Sequence, residues 1–326
     1  MTDLSISIVN TSNWKYLEPC IKAIIDNTQY ISYEILVVDN ASDDGSADLI
    51  AKNFPEVILS ITPRRYGFAK NNNINLKKSG GRYLMLLNDD TLVQPNSLEN
   101  AVAYLDTNPD VGMVGCQMLN PDGTVQYSSG RKFLNLLDII WAETGISTAF
   151  SKNPVFARRI IGNWDHNTIR EIDLPQESGM ILRQNIINNI GLLDEEFFMF
   201  GEGADWCRRI RQAGWKIVFL PECKIIHFGG TTNQRTSLGM FLQSYKSTYI
   251  YFRKESRIIS LCYRIIILLI YFGKFFLIGL KQIFLWPWRR QYLDILKSYR
   301  ALLYFVLFRI NDPNYPFLNN CREDLT

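Results

Sequence analysis

The sequence predicts an α/β protein: a mainly parallel sheet flanked by helices, followed by a C-terminal helical region of different character. Three observations predict it. Apolar, β-branched runs alternate with helix-spaced segments through the first hundred residues, the pattern of strands joined by crossover helices. Two of those runs, EILVVDN (34–40) and YLMLLNDD (83–90), end abruptly in acids. The last hundred residues then change composition: 231–326 carries a net charge of +9 and 1–230 carries −6, an asymmetry that points to two regions with different partners.

In order, ISIVN (6–10) is a strand, WKYLEPCIKAIIDNT (14–28) has helical spacing, and YEILVVDN (33–40) is a second strand. DGSADLIAKNF (44–54) is a helix opened by turn residues, VILSIT (57–62) is a strand, and a polar helix leads into RYLMLLNDD (82–90). The signal weakens over 135–175, a mixed stretch with Trp164 and His166 that reads as an insertion over a pocket. It returns with SGMILRQ (178–184), a helix holding Asp205 through Arg211 and ended by Gly214, and WKIVFLPECKIIHF (215–228), read as two strands separated by Pro221.

The tail, RIIILLIYFGKFFLIGLKQIFLWPWRR (264–290), mixes apolar, aromatic and basic residues. Its longest apolar stretch, 265–280, is broken by Lys274 and is short of the roughly 20 residues a spanning helix needs. Basic and aromatic side chains interleaved on apolar helices suit a position in the plane of an anionic leaflet. A buried helix, an oligomer contact and a true span are the alternatives. The division expected is 1–230 as one domain, with a ligand-binding half at 1–95 and a second half at 96–230, and 231–326 as the membrane-associating region.

Six scattered cysteines without CxxC spacing read as small buried hydrophobes in a reducing compartment. MTDLSISIVN lacks a basic n-region and a long apolar h-region, so a secretory signal is not expected and the chain is placed on the cytoplasmic side. A homo-oligomer is compatible with this composition, and a nucleic-acid partner is not expected.

Ligands of open α/β sheets bind outside the carboxyl ends of the strands, which puts Asp39, Asn88, Asp89 and Asp90 where a ligand would sit. Two acids at a strand end suit Mg²⁺ or Mn²⁺ bridging to substrate phosphates. The alternative for Asp90-Thr91 is a turn and cap entering a helix before Pro95. Asp39 could accept hydrogen bonds from a nucleotide, or simply organise the turn after it. Gly67 marks a turn, and Lys70 faces a phosphate or lies on a solvated polar helix. His227 ends an apolar strand before Gly229 and Gly230; it is a structural histidine or a metal ligand.

Taken in order, TSNWKYLEPCIKAI, EILVVDNASDDGS, YGFAKNNNIN, YLMLLNDDTLV, ESGMILRQ, GLLDEEFFMFGEGADWCRRIRQAGWKI and PECKIIHFGG resemble glycosyltransferase family 2, and within it the rhamnosyltransferase-like branch of bacterial surface polysaccharide and O-antigen synthesis. The resemblance covers about 4–230, with a family-like basic, apolar tail to about 310. It implies a GT-A, Rossmann-like fold and an inverting, metal-dependent transfer from a nucleotide sugar, with dTDP-L-rhamnose the first donor to consider. It implies a polyprenyl-linked saccharide acceptor, a membrane surface met through 258–310, and a peripheral place on the cytoplasmic face of the inner membrane. Thr11 and Asp39 fall on the nucleotide-contacting positions, with Lys70, Asn88 and Asp89 beside them; Asp90 falls on the metal-binding position and His227 on one that completes the metal or diphosphate site.

An inverting transfer needs a carboxylate to take the acceptor proton. The family's Glu-Asp-x-Asp segment places that base immediately after the Glu, and here this position is Gly203. Glu202 can take the role from one residue earlier, or Asp205 from the same helix face. The alternatives are a catalytically degenerate protein that binds nucleotide sugar or scaffolds partner transferases, and a nucleotidyltransferase on a similar fold.

Overall fold

The structure is a computed structural model that describes residues 2–229, 238–284 and 289–312; Gly230, the Leu285–Trp288 stretch and Cys321 lie outside the described residues. It divides into two units, one of 1–133, 152–198 and 202–234, the other of 134–151, 199–201 and 235–326.

The first unit opens β1 (Leu4–Asn10), α1 (Trp14–Asn27), β2 (Tyr33–Asp39), α2 (Ser46–Asn53), β3 (Ile58–Ile61), α3 (Phe68–Leu76) and β4 (Tyr83–Asn88). It continues with β5 (Thr91–Val93), α4 (Ser97–Thr107), β6 (Val111–Leu119) and the two-residue β7 (Gly130–Arg131). In the second unit, α5 (Leu136–Glu143) and α6 (Ile146–Ala149) follow. The chain returns to the first unit with β8 (Arg170–Glu171), β9 (Leu174–Pro175), β10 (Gly179–Arg183), α7 (Ile187–Ile190), α8 (Glu202–Gln212) and β11 (Lys216–His227). The second unit closes with α9 (Leu238–Glu255), α10 (Arg257–Phe284) and α11 (Arg289–Tyr304).

The main sheet runs β3-β2-β1-β4-β10-β6-β11-β5, with β8 paired to β11. It is parallel from β3 to β4, as the strand–helix alternation of the first ninety residues dictates, and mixed beyond: β10 is antiparallel to both β4 and β6, and β5 to β11. Apolar side chains fill both faces. One face packs Ile6, Ile8, Val37, Met85 and Leu87 with α1 residues Leu17, Cys20, Ile21 and Ile24, whose spacing puts them on one helical stripe. The other packs Leu84, Leu86, Met180 and Leu182 with Trp206 and Ile210 of α8. Trp206 is fully buried and its indole N–H donates to the Gly191 carbonyl at 3.0 Å, which fixes where α8 starts.

Three sequence expectations change. Residues 216–227 form one strand, not two; the register against β6 shifts between Leu220 and Lys224, so Pro221, which has no N–H to give a ladder, sits in a bulge. Asp89 and Asp90 turn into the short strand β5, and no helix is capped there; α4 starts later, at Ser97. The polar helix α3 is buried instead of solvated, its asparagines acting as internal ties. Asn75 Nδ2 reaches Ser7 Oγ, Ile8 O and Leu36 O at 3.0–3.2 Å, and Asn73 holds the backbone of Leu193 through both its amide atoms. Through these amide bonds, and with Ala69 and Leu76 in the core beneath them, α3 is held against β1 and β2.

In the second unit, α10 is 28 residues long, about 42 Å of helix. Its stretch Arg257–Lys281 is long and apolar enough to cross a membrane by length and composition. Lys274 no longer breaks that stretch as a free charge: its ammonium donates to Glu143 Oε2 at 2.8 Å, beside the hydroxyls of Tyr245 and Tyr271. Tyr263, Ile267 and Tyr271 are buried on one side of the helix, while Leu261, Ile265, Leu269, Phe272 and Phe276 form an exposed stripe on the other.

Candidate active site

The sheet topology gathers the acids. β1, β2 and β4 run parallel and in register, so Thr11, Asp39 and Asn88-Asp89-Asp90 all emerge at one carboxyl edge. β5 turns back immediately and pairs His227 with Thr91, which brings the imidazole beside Asp90: Nε2 lies 3.4 Å from Asp90 Oδ1, and Phe228 N–H donates to the Asp90 carbonyl at 3.0 Å. Residues far apart in sequence thus meet because a three-residue strand reverses the chain.

His227 is held on several sides. Its Nδ1 is 3.1 Å from Gln126 Oε1 and 2.9 Å from Gln176 Nε2, and its Nε2 is 3.3 Å from Ser178 Oγ. Nδ1 is within reach of an acceptor, Gln126 Oε1, and of a donor, Gln176 Nε2, so the tautomer follows from which amide it engages; with Nδ1–H given to Gln126, the Nε2 lone pair faces Asp90, as a metal ligand requires. Gln126 and Gln176 carried no motif in the sequence, and Ser178 stood in ESGMILRQ without a role; only the fold brings them to His227.

Asp89 and Asp90 are buried side by side, 7% and 4% exposed. Burial, and then the charge of Asp90, push the Asp89 carboxyl up to about 7. Two adjacent buried carboxylates in this state are relieved by a cation. Among the described residues no three His, Cys, Asp or Glu side chains form a complete metal cluster. The pair Asp90–His227, with Asp89 alongside, instead fits Mg²⁺ or Mn²⁺, which commonly takes one or two protein ligands and completes its shell with water and substrate phosphate oxygens.

The other strand-end residues are organised among themselves. Asp39 accepts from Asn10 Nδ2 at 3.0 Å, from the Ser42 N–H at 2.9 Å and from Ser46 Oγ at 3.3 Å, so its carboxylate braces the loop after β2. Asn40 Nδ2 donates to Thr11 Oγ1 at 3.1 Å and its Oδ1 accepts from the Tyr66 N–H at 2.7 Å, tying the ends of β1 and β2 to the segment before α3. The Lys70 ammonium lies 4.2 Å from the Tyr66 ring centroid.

Gly67 has an ordinary φ of −73°, so a turn requirement does not explain it. Its role is close approach: a Cβ there would lie 2.1 Å from the Phe198 carbonyl oxygen, which accepts from the Phe68 N–H at 2.8 Å. Gly67→Ala is therefore expected to cost about 1–3 kcal/mol, the range for overpacking a tight site, measured as a fall in the denaturant midpoint; an unchanged midpoint would show that this approach is not tight.

Glu202 opens α8 and is 1% exposed. Asp205, one turn on, is bound by Arg209, whose Nε and Nη2 both lie 2.9 Å from Asp205 Oδ2 and whose guanidinium also donates to the carbonyls of Ile190 and Leu192. The ion pair orders the loop ahead of the helix. Gly203, between them, meets the carboxylate of Glu177, the first residue of ESGMILRQ, to which the sequence attached no role; the Gly203 N–H donates to it.

Acids gathered at the carboxyl edge of an open α/β sheet stand where such sheets bind their ligands, and paired carboxylates there suit a divalent cation and a phosphate-bearing substrate. The comparisons with known proteins identify the family. The family model described as glycosyl transferase family 2 matches residues 5–169, and the chain belongs to that family; it is a glycosyltransferase. It is 24% identical over 271 residues to an N-acetylglucosaminyl-diphospho-decaprenol L-rhamnosyltransferase of Mycobacterium tuberculosis, covering 77% of this chain and 84% of that protein. It is also 24% identical over 264 residues to the rhamnosyltransferase WbbL of Escherichia coli, covering 78% and 94%. Among solved structures it is similar to GalNAc-T7 determined with UDP, GalNAc and Mn²⁺, with a TM-score of 0.52, 17% identity, and 69% of this chain against 43% of that one; that likeness shows the GT-A type of fold.

Proposed function

We propose that this glycosyltransferase moves a sugar, L-rhamnose from dTDP-L-rhamnose as the first choice, onto a polyprenyl-diphosphate-linked saccharide, in the synthesis of a bacterial surface polysaccharide such as O-antigen. The single observation that carries the reading is the convergence of Asp90, His227 and Asp89 at the sheet's carboxyl edge. The printed activities of the rhamnosyltransferase relatives support the sugar and the lipid-linked acceptor.

In this reading Thr11, Asp39 and Asn40 form the wall against the nucleotide, and Lys70, Asn88 and Asp89 stand near its phosphates. Asp90 and His227 hold the divalent cation, with Gln126 and Gln176 fixing the imidazole. Bound there, Mg²⁺ or Mn²⁺ supplies charge stabilisation to the departing diphosphate. The acceptor hydroxyl attacks the anomeric carbon from the opposite face, and a carboxylate near the start of α8 removes its proton.

The division of labour follows from composition. Residues 1–230 carry the transfer, and the basic, apolar 231–326 region holds the enzyme to the cytoplasmic face of the inner membrane, where a polyprenyl-linked substrate resides. The exposed apolar stripe of α10 supports an in-plane position.

Purified protein incubated with dTDP-L-rhamnose, Mn²⁺ and a polyprenyl-diphosphate saccharide is expected to release nucleoside diphosphate and extend the lipid. Pyrophosphate release would indicate nucleotidyl transfer instead. No turnover across a panel of donors would contradict the proposal.

A further inference from the structure

Gly203 stands where the family resemblance expects the base, and the structure puts another carboxylate in that place. A Cβ built on Gly203 would lie 2.5 Å from Glu177 Oε1 and 2.6 Å from its Cδ and Cγ. The volume in which an aspartate at 203 would begin is thus already filled by the Glu177 side chain, and the Gly203 N–H at the start of α8 donates to it. Glu177 lies between Gln176 and Ser178, both of which contact His227, so the tripeptide that braces the imidazole also carries this carboxylate. Glu177 keeps some accessible surface while its carboxyl lies deep, against Gly203 and near Arg131 and Arg159; Glu202 is buried to 1% and Asp205 is engaged by Arg209.

We propose that Glu177 is the general base of the transfer, a carboxylate supplied from the segment before β10 into the space that Gly203 leaves open. The assignment rests on the glycosyl-transfer reading above. As the bond between the acceptor oxygen and the anomeric carbon forms, the bond from that carbon to the diphosphate oxygen breaks. The acceptor's proton passes to a Glu177 oxygen and leaves to solvent before the next turnover, while the nucleoside diphosphate departs with the electron pair. The groups facing Glu177 suit this. Burial pushes its carboxyl above the usual range, while Arg131 and Arg159 pull it down; the Cys207 thiol beside it, pushed up by burial, stays neutral.

The same contacts would also let Glu177 serve only as a brace for α8, so the test needs readouts that separate the two roles. In the full-length protein, Glu177→Gln is expected to keep the thermal midpoint and the donor KM near wild type. Its kcat should fall about 10²–10⁴-fold, the range for losing a general base. Glu177→Ala should be as inactive, and Glu177→Ala combined with Gly203→Asp should recover at least about tenfold, because truncation opens the volume an aspartate needs and returns a carboxylate to it. The acid limb of the pH profile should shift in that double variant, since its base is a different carboxylate. Near-wild-type kcat in Glu177→Gln would overturn the proposal. So would joint loss of thermal midpoint, donor binding and kcat in Glu177→Gln with no recovery in the double variant. A wild type that transfers no sugar would instead remove the reading on which the proposal rests.

Discussion

Asp90→Asn is expected to abolish stabilisation by Mn²⁺ or Mg²⁺ and to lower transfer by about 10²–10³-fold, the scale of losing one preorganised electrostatic contact. The substitution keeps the shape of the side chain and removes its charge. In the wild type, a cation at a hundred times its Kd stabilises the fold by about 2.7 kcal/mol. That is a rise of several degrees in Tm, readable by scanning calorimetry without any substrate. Asp89 and Asp90 are buried together, so the cation relieves a repulsion that the folded protein otherwise carries. In Asp90→Asn both the repulsion and its relief disappear. A variant that kept the metal-dependent rise and normal transfer would move the cation site away from the end of β4.

The second large effect concerns α10. Leu269, Phe272 and Phe276 are 68%, 54% and 65% exposed and lie on one helical stripe. Seating such side chains in the acyl boundary is worth about 1.5–3 kcal/mol each. The triple variant Leu269→Ser, Phe272→Ser, Phe276→Ser should therefore lose at least about three orders of magnitude in partitioning to anionic vesicles. Sedimentation with vesicles measures this, and transfer to a short water-soluble acceptor should be unchanged. Vesicle binding as strong as wild type would place the membrane contact elsewhere. Lys274 stays paired with Glu143 in this variant, so the internal packing of the α10 side that carries Tyr263 and Tyr271 is not the quantity being tested.

Much of the first unit was legible because strands and crossover helices impose different periods on the sequence. Acids terminating apolar strands could be placed at the ligand-binding edge from that pattern alone. What the sequence hid was long-range contact. Gly67 looked like a turn residue and is a site of close backbone approach to Phe198. The asparagines of α3 looked solvated because nothing local reveals that Ser7, Leu36 and Leu193 consume their amides. Pro221 looked like a strand break, whereas the partner strand β6 tolerates it as a bulge. Glu177 stood in a motif without a role for the same reason: only the folded chain brings it against Gly203, 26 positions later. A base missing from one position and present at another leaves no signature in a motif read along the chain.

Inverting transfer of a nucleotide-activated sugar to a lipid-linked acceptor is tested most directly by the structure of the product, with the anomeric configuration of the new linkage read by NMR after turnover of dTDP-L-rhamnose. One added sugar, one nucleoside diphosphate released per linkage, and an anomeric configuration opposite to that of the donor are expected. Retained configuration would contradict the single displacement on which the roles of Asp90, His227 and Glu177 are built.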